Sequence, residues 1–327
     1  MRLASVLTPM SDENLRLAAQ CGVTDIVTRY PGPDLRDLLE VKRRIEEFGL
    51  QLSVIEGYLP IESIKIGRDD GSDLEKLKTL VRHMGQAGIP ILCYNFMAGT
   101  DWVRTRLDAP ERGGALVTAF NLEDAKRAVL MGHDGAGTMK PADESRIVPE
   151  AIWSYLESLL KELVPVAEGA GVVLAMHPDD PPLPEFLGKA RIMNSVENFE
   201  RLVELVPSPS NAICFCQGTF AEMGVDIPLA IRRLGHHIRY VHFRDVRGTA
   251  TSFTETFHDN GPTDMVAAMR AYRAIGFDGP MRPDHVPQLV GEEDGEPGYT
   301  MKGRLFAYGY MRGLMQATEG HLSRQAP

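Results

Sequence analysis

"AGVVLAMHP", residues 170–178, decides the fold. A helical run ends at a glycine, a short β-rich run follows at once, and a histidine and a proline close it. Glycine just past a helix end takes a left-handed conformation that other residues avoid. A β-rich run directly after it is the joint of a repeated β/α unit. The same joint recurs in "CGVTDIVTRY" (21–30), "FGLQLSVIEG" (48–57), "AGIPILCYNF" (87–96), "LGHHIRYVHFRDV" (234–246) and "IGFDGPMRPDH" (275–285).

Working outward, the sequence predicts strands at Leu3–Leu7, Asp25–Tyr30, Gln51–Gly57, Ile91–Phe96, Val172–Pro178, Ala212–Gln217, Ile238–Val246 and Pro280–His285. The stretches between them carry helical periodicity. "LRDLLEVKRRIEEF" sets Leu35, Leu38, Leu39, Ile45 and Phe48 roughly on one side. "SDLE" (Ser72–Glu75) and "NSVE" (Asn194–Glu197) fit helix N-terminal caps. Eight alternating units in 327 residues fit a single (β/α)8 TIM barrel over 1–327. An open doubly wound sheet is the competitor, but no GxGxxG follows the first strand. The segments 97–148 and 247–262 exceed ordinary loops and lie on the C-terminal side of their strands, where barrel enzymes build active sites.

Composition narrows the function classes. The net charge is −10, from 35 basic and 45 acidic residues, which disfavours nucleic acid as a partner. No apolar run approaches the ~18 residues of a membrane helix. "MRLASVLTPMSDEN" turns polar too soon for a signal peptide. The four cysteines, at 21, 93, 214 and 216, form no disulfide framework, so the expected compartment is a reducing cytoplasm.

Four of the last strands end on groups that bind metals: His177, Cys216, His242 and Asp284. In a parallel barrel these ends share one rim, and imidazole, thiolate, imidazole and carboxylate form a set for a divalent cation. His285 and Tyr299 supply groups suited to proton traffic beside it. Arg244 follows His242 by two residues, hence on the same face, and fits a substrate-carboxylate clamp or a structural ion pair.

The stretches "CYNFMAGTDWVRT", "HPDDPPLPEF", "VPSPSNAICFCQGTF", "RYVHFRDV", "FTETFHDNGPTDM" and "MRPDH…PGYTMKGR" resemble, in the same order, the mannonate dehydratase family of TIM-barrel enzymes. The resemblance runs from about residue 85 to 315. It implies manganese or iron(II) held by His177, Cys216, His242 and Asp284, with His285 and Tyr299 as catalytic pair. It further implies substrate contacts from Asn95, Arg244, His258 and Arg304. The reaction implied removes water from a 2,3-dihydroxy sugar acid to leave a 2-keto-3-deoxy acid, with either residue of the pair as base. Three stretches depart from the family. "TRYPGPDLRDLL" lacks its paired histidine, "SVIEGYLPIES" differs after strand three, and "DHVPQ" replaces "DHGH". Such changes are expected to alter the pocket wall that reads the substrate. The competing readings are a xylose-isomerase-like isomerase or epimerase, which Glu56 keeps open, and an inactive ligand-binding homologue; a metal-dependent phosphodiesterase or endonuclease is disfavoured by the net charge and by the lack of a multi-metal histidine set. The apolar C-terminal helix "RLFAYGYMRGLMQAT" leaves room for a homo-oligomer.

Overall fold

The computed structural model describes residues 1–127, 129–130 and 146–319. Residue 128 and residues 131–145 of the long segment 97–148 lie outside the described residues.

Eight parallel strands close into a barrel: β1 (Arg2–Val6), β2 (Asp25–Thr28), β3 (Gln51–Glu56), β4 (Ile91–Tyr94), β5 (Val173–Met176), β6 (Asn211–Cys216), β7 (Ile238–His242) and β8 (Pro280–Arg282). Each pairs with its neighbours in chain order, and β8 closes on β1 through Arg2↔Pro280 and Leu3↔Met281. The principal helices alternate with them: α1 (Asp12–Gln20), α2 (Leu35–Glu46), α3 (Ser72–Ala87), α4 (Pro149–Ala170), α5 (Val196–Leu205), α6 (Ile227–Leu234), α7 (Met265–Ala274) and α8 (Met301–Glu319). This is the (β/α)8 TIM barrel the sequence predicts. Gly171 caps α4 with φ 68°, the left-handed residue that reverses the chain into β5.

Local details differ from expectation. Every strand stops one to four residues short of expectation at its C-terminal end, where backbone pairing gives way to the rim loops. On α2 only Leu38 and Ile45 are fully buried, while Leu39 is 44% exposed, one helical step off the apolar stripe. Ser72 is already inside α3; Asp69 and Asp70 accept from the first amides of that helix instead. At α5 the cap is Ser195, not Asn194, accepting from the Asn198 amide.

Two apolar layers hold the barrel. The larger lies between strands and helices, and α8 turns Tyr308, Met311, Leu314 and Met315 into it. The apolar face that suggested an oligomer is thus spent on the chain's own core. The smaller layer fills the barrel interior with Ala4, Val6, Val27, Val54, Ile91, Cys93, Ala175, Cys214 and Tyr240. Among the described residues no helix is long and apolar enough to cross a membrane.

The segments after β4 and β7 meet above the C-terminal rim. They build an antiparallel roof sheet in the order Val246–Thr249, Ser252–Glu255, Leu116–Asn121, Arg106–Pro110. Phe253 pairs with Phe120 and stacks on it at 5.8 Å. Leu116 also exchanges backbone hydrogen bonds with Gln288, at 3.0 and 2.8 Å. The "VPQ" departure is therefore a strip of roof; none of Val286, Pro287 and Gln288 lines the cavity beneath, contrary to a substrate-reading role for that stretch.

Candidate active site

The strand pleat organises the site, because inward-facing side chains recur every second residue. Arg29 follows Val27, Glu56 follows Val54, Asn95 follows Cys93 and His177 follows Ala175. Cys216 follows Cys214, His242 follows Tyr240 and Asp284 follows Arg282. Seven strand ends thus place a polar or ionisable group above the apolar interior. Arg29, Glu56, Asn95, His177 and Asp284 line a cavity of about 380 Å³, together with His285, Tyr299, Trp102 and Lys65. Cys216 and His242 are fully buried beside it.

The four proposed ligands converge. The donor atoms of His177, Cys216 and His242 lie within 4.8 Å of one another. His177 Nε2 faces His242 Nδ1 at 3.2 Å, Asp284 Oδ2 lies 3.7 Å from that Nδ1, and Cys216 Sγ lies 3.6 Å from Asp284 Oδ2. Ligands about 2.0–2.3 Å from a tetrahedral ion stand roughly 3.3–3.8 Å apart, so these spacings fit a divalent cation. The outer contacts fit as well. His177 Nδ1 donates to the Pro178 carbonyl at 2.7 Å, which turns Nε2 toward the donor cluster. His242 Nε2 has Glu56 Oε2 at 3.4 Å, a carboxylate also held by Tyr240 and Arg282. Burial alone would raise the Glu56 carboxyl, but Arg282, His242 and Arg29 hold it well below its ordinary range.

Asp284 adopts φ 60°. Adjacent strand residues point to opposite faces, so a regular strand could not present both Asp284 and His285. The left-handed turn at Asp284 lets both reach the cavity. His258 supports this turn by donating from Nε2 to the Pro283 carbonyl at 2.8 Å. Burial opposes ionisation of Asp284, yet Arg282, His285, His242 and Arg244 keep it well below the usual carboxylate range.

Glu255, at the roof's edge, accepts from His285 Nδ1 at 2.9 Å. An ionised carboxylate only accepts, so the Nδ1 proton is fixed and Nε2 is left with its lone pair. Despite burial, Arg244, His285 and Arg104 hold the Glu255 carboxyl far below its ordinary value. Burial lowers His285 against the pull of Asp284 and Glu255, which favours neutral imidazole. The Trp102 indole stacks on His285, with ring centres 4.2 Å apart. Tyr299 meets the same imidazole edge-on at 5.5 Å. Burial raises its phenol against the influence of Arg29 and Arg282, so the hydroxyl keeps its proton.

The sequence-predicted residues thus separate into groups. His177, Asp284, His285, Tyr299 and Asn95 face the cavity, with Cys216 and His242 adjoining the cluster. Arg244, His258 and Arg304 do not line it. Arg244 is 1% exposed and spends its guanidinium on Asp284, Glu255, Glu222 and Asp180, so it is the structural ion pair and not an open clamp. Arg304 lies 5.0 Å over the Tyr299 ring and donates from Nε to the Tyr299 carbonyl. Sequence reasoning missed Glu255, Trp102 and Arg29. The two-residue step that picked out Arg244, applied from Val27, would have reached Arg29 just past β2; nothing local marks Glu255, which reaches His285 from 30 residues upstream.

The D-mannonate dehydratase (UxuA) family model matches residues 9–325. Mannonate dehydratase 2 of Halalkalibacterium halodurans is 34% identical over 310 residues, 86% of this chain and 86% of its own. The mannonate dehydratase of Streptococcus equi subsp. zooepidemicus is 35% identical over 334 residues, covering 94% and 91%. The crystal structure of mannonate dehydratase from Streptococcus suis serotype 2 superposes with a TM-score of 0.86 at 32% identity, over 97% of this chain and 93% of that one. A structure of L-ribulose 3-epimerase, 16% identical with a TM-score of 0.59, shares the fold alone. A barrel of this topology, with a match that spans nearly its whole length, belongs to the mannonate dehydratase family of hydro-lyases.

Proposed function

We propose that the protein dehydrates a sugar acid, D-mannonate or a close aldonate, to the 2-keto-3-deoxy acid, with manganese or iron(II) as cofactor. The observation that carries this reading is His285, its Nδ1 bonded to Glu255, meeting Tyr299 edge-on beside the donor cluster. His177, Cys216, His242 and Asp284 would hold the cation, which supplies Lewis-acid polarisation of the acid's oxygens and makes the C2 proton more acidic. His285 Nε2 is the base that takes the C2 proton. Glu255 locks the tautomer that makes this nitrogen available and steadies the imidazolium that results. Trp102 fixes the ring plane by stacking. The Tyr299 hydroxyl gives its proton to the C3 hydroxyl as it leaves as water. The enol left between C2 and C3 then tautomerises to the ketone, and the proton held by His285 restores the phenol.

Four free cysteines support a reducing, cytoplasmic setting. The deciding experiment incubates the purified chain with manganese or iron(II) and a panel of aldonates, read for 2-keto-3-deoxy product. D-mannonate or a C2–C3 relative is expected to give it. An isomerised product without loss of water overturns the reading.

A further inference from the structure

Three cations line the cavity among the described residues: Arg29, Lys65 and Arg282. Arg282 is neutralised, with Glu56 Oε1 and Asp284 Oδ1 each at 2.7 Å. Lys65 donates to Asn95 Oδ1 at 2.8 Å and has Glu62 at 3.8 Å. Arg29 has no carboxylate within 4.0 Å among the described residues. Its guanidinium carbon instead sits 5.4 Å from the Tyr58 ring centre and 5.6 Å from that of Tyr299. Two aromatic faces hold the guanidinium in place, and a side-chain hydrogen bond to Tyr299 occupies only part of its set of N–H donors. Backbone supports this placement. Gly57 has φ 83°, and a Cβ there would come within 3.1 Å of Arg29 Nη1.

A positive fork held between rings and facing a cavity, which feels Glu56 only from beyond ion-pair distance, is complementary to a planar anion. We infer that Arg29 is the substrate-carboxylate clamp of this pocket, the role that Arg244 is too fully engaged to fill. The inference rests on the sugar-acid reading for its substrate class. Arg29 meets the carboxylate with paired N–H donors, which orients the acid with C2 and C3 toward His285 and Tyr299. Its neighbour Tyr299 ties recognition of the anion to the proton donor.

The test measures binding, so it stands apart from turnover. The full chain, loaded with manganese and carrying Tyr299→Phe so that bound D-mannonate is not turned over, is titrated calorimetrically with D-mannonate and with D-mannitol, the polyol of equal length without a carboxylate; in this background "wild type" refers to position 29. Wild type is expected to prefer the acid. Arg29→Met is expected to weaken D-mannonate about 10- to 150-fold while D-mannitol changes less than about threefold, because a charged hydrogen-bonded pair is lost and the cavity is kept. Arg29→Lys is expected to recover part of the loss, since the charge returns without the fork. D-mannitol binding also reports that each variant is folded. Arg29→Met with D-mannonate affinity within threefold of wild type overturns the clamp, as does an equal loss for both ligands, or a wild type that shows no preference for the acid. A clamp that survives while no aldonate is dehydrated would sink the reaction and leave this inference standing. Dehydration with an unchanged Arg29→Met affinity would do the reverse.

Discussion

The two halves of the barrel rim follow one geometric rule and do different work. From β5 to β8 the inward side chains are His177, Cys216, His242 and Asp284, the first three with donor atoms within 4.8 Å of one another and Asp284 beside them. From β2 to β4 they are Arg29, Glu56 and Asn95, spread along the cavity wall. The first half concentrates donors and excludes solvent; the second presents separate polar groups to a ligand. The contrast teaches that the pleat delivers positions, while residue type decides whether a position reacts or recognises. Variants in the first half should strike turnover, and variants in the second should strike affinity.

The largest effect is expected from Tyr299→Phe. Loss of the proton donor should cut kcat by about 10²–10⁴ or more with metal content unchanged, as checked by steady-state assay beside elemental analysis. Full activity in that variant breaks the assignment of acid and base. Next comes Glu255→Gln, which keeps the shape but removes the charge that fixes His285. We expect kcat down about 10- to 100-fold with KM nearly constant; an effect confined to KM would move Glu255 to the recognising half. Asn95→Ala tests that half directly. It frees Lys65 and Asp101, and should raise KM about three- to tenfold with little change in kcat.

The smallest effect probes the charge cluster behind the reactive half. Burial, reinforced by the Asp180 charge, raises the Glu222 carboxyl well above its ordinary value. The stability linked to it is present below the unfolded value of about 4.3 and is lost as pH rises toward the folded one. Glu222→Gln removes that slope. The variant should gain on wild type as the buffer becomes more alkaline, on the order of 1 kcal/mol, read from denaturant midpoints at pH 5 and pH 9. Parallel midpoints at both values would contradict a protonated Glu222.

Much of this was legible because its signals are local. Glycine-led joints mark six of the eight strands, and residues such as His177 and His242 mark where strands end. The rest depends on what lies across the barrel. Arg244 is spaced correctly for a clamp, but four carboxylates from other segments surround it. Gly218 even leaves space for it, since a Cβ there would lie 2.5 Å from Arg244 Nη1. The exposure of Leu39 and the shift of a cap from Asn194 to Ser195 are one-residue effects that periodicity does not resolve. Glu255 was unreadable because its meaning comes from a hairpin docked onto a strand from the other insertion.

The roof sheet has a practical consequence for redesign. Its strands come from the insertions after β4 and β7, and the chain after β8 is stitched to it through Leu116 and Gln288. Trp102 arrives from the first of these segments, Glu255 from the second and His285 from the third. The three are therefore one exchangeable cassette written in three places. Transplanting any one alone into a related barrel would carry a side chain without the partners that aim it, whereas moving all three would transfer the proton-handling apparatus and leave Arg29 with the recipient's wall.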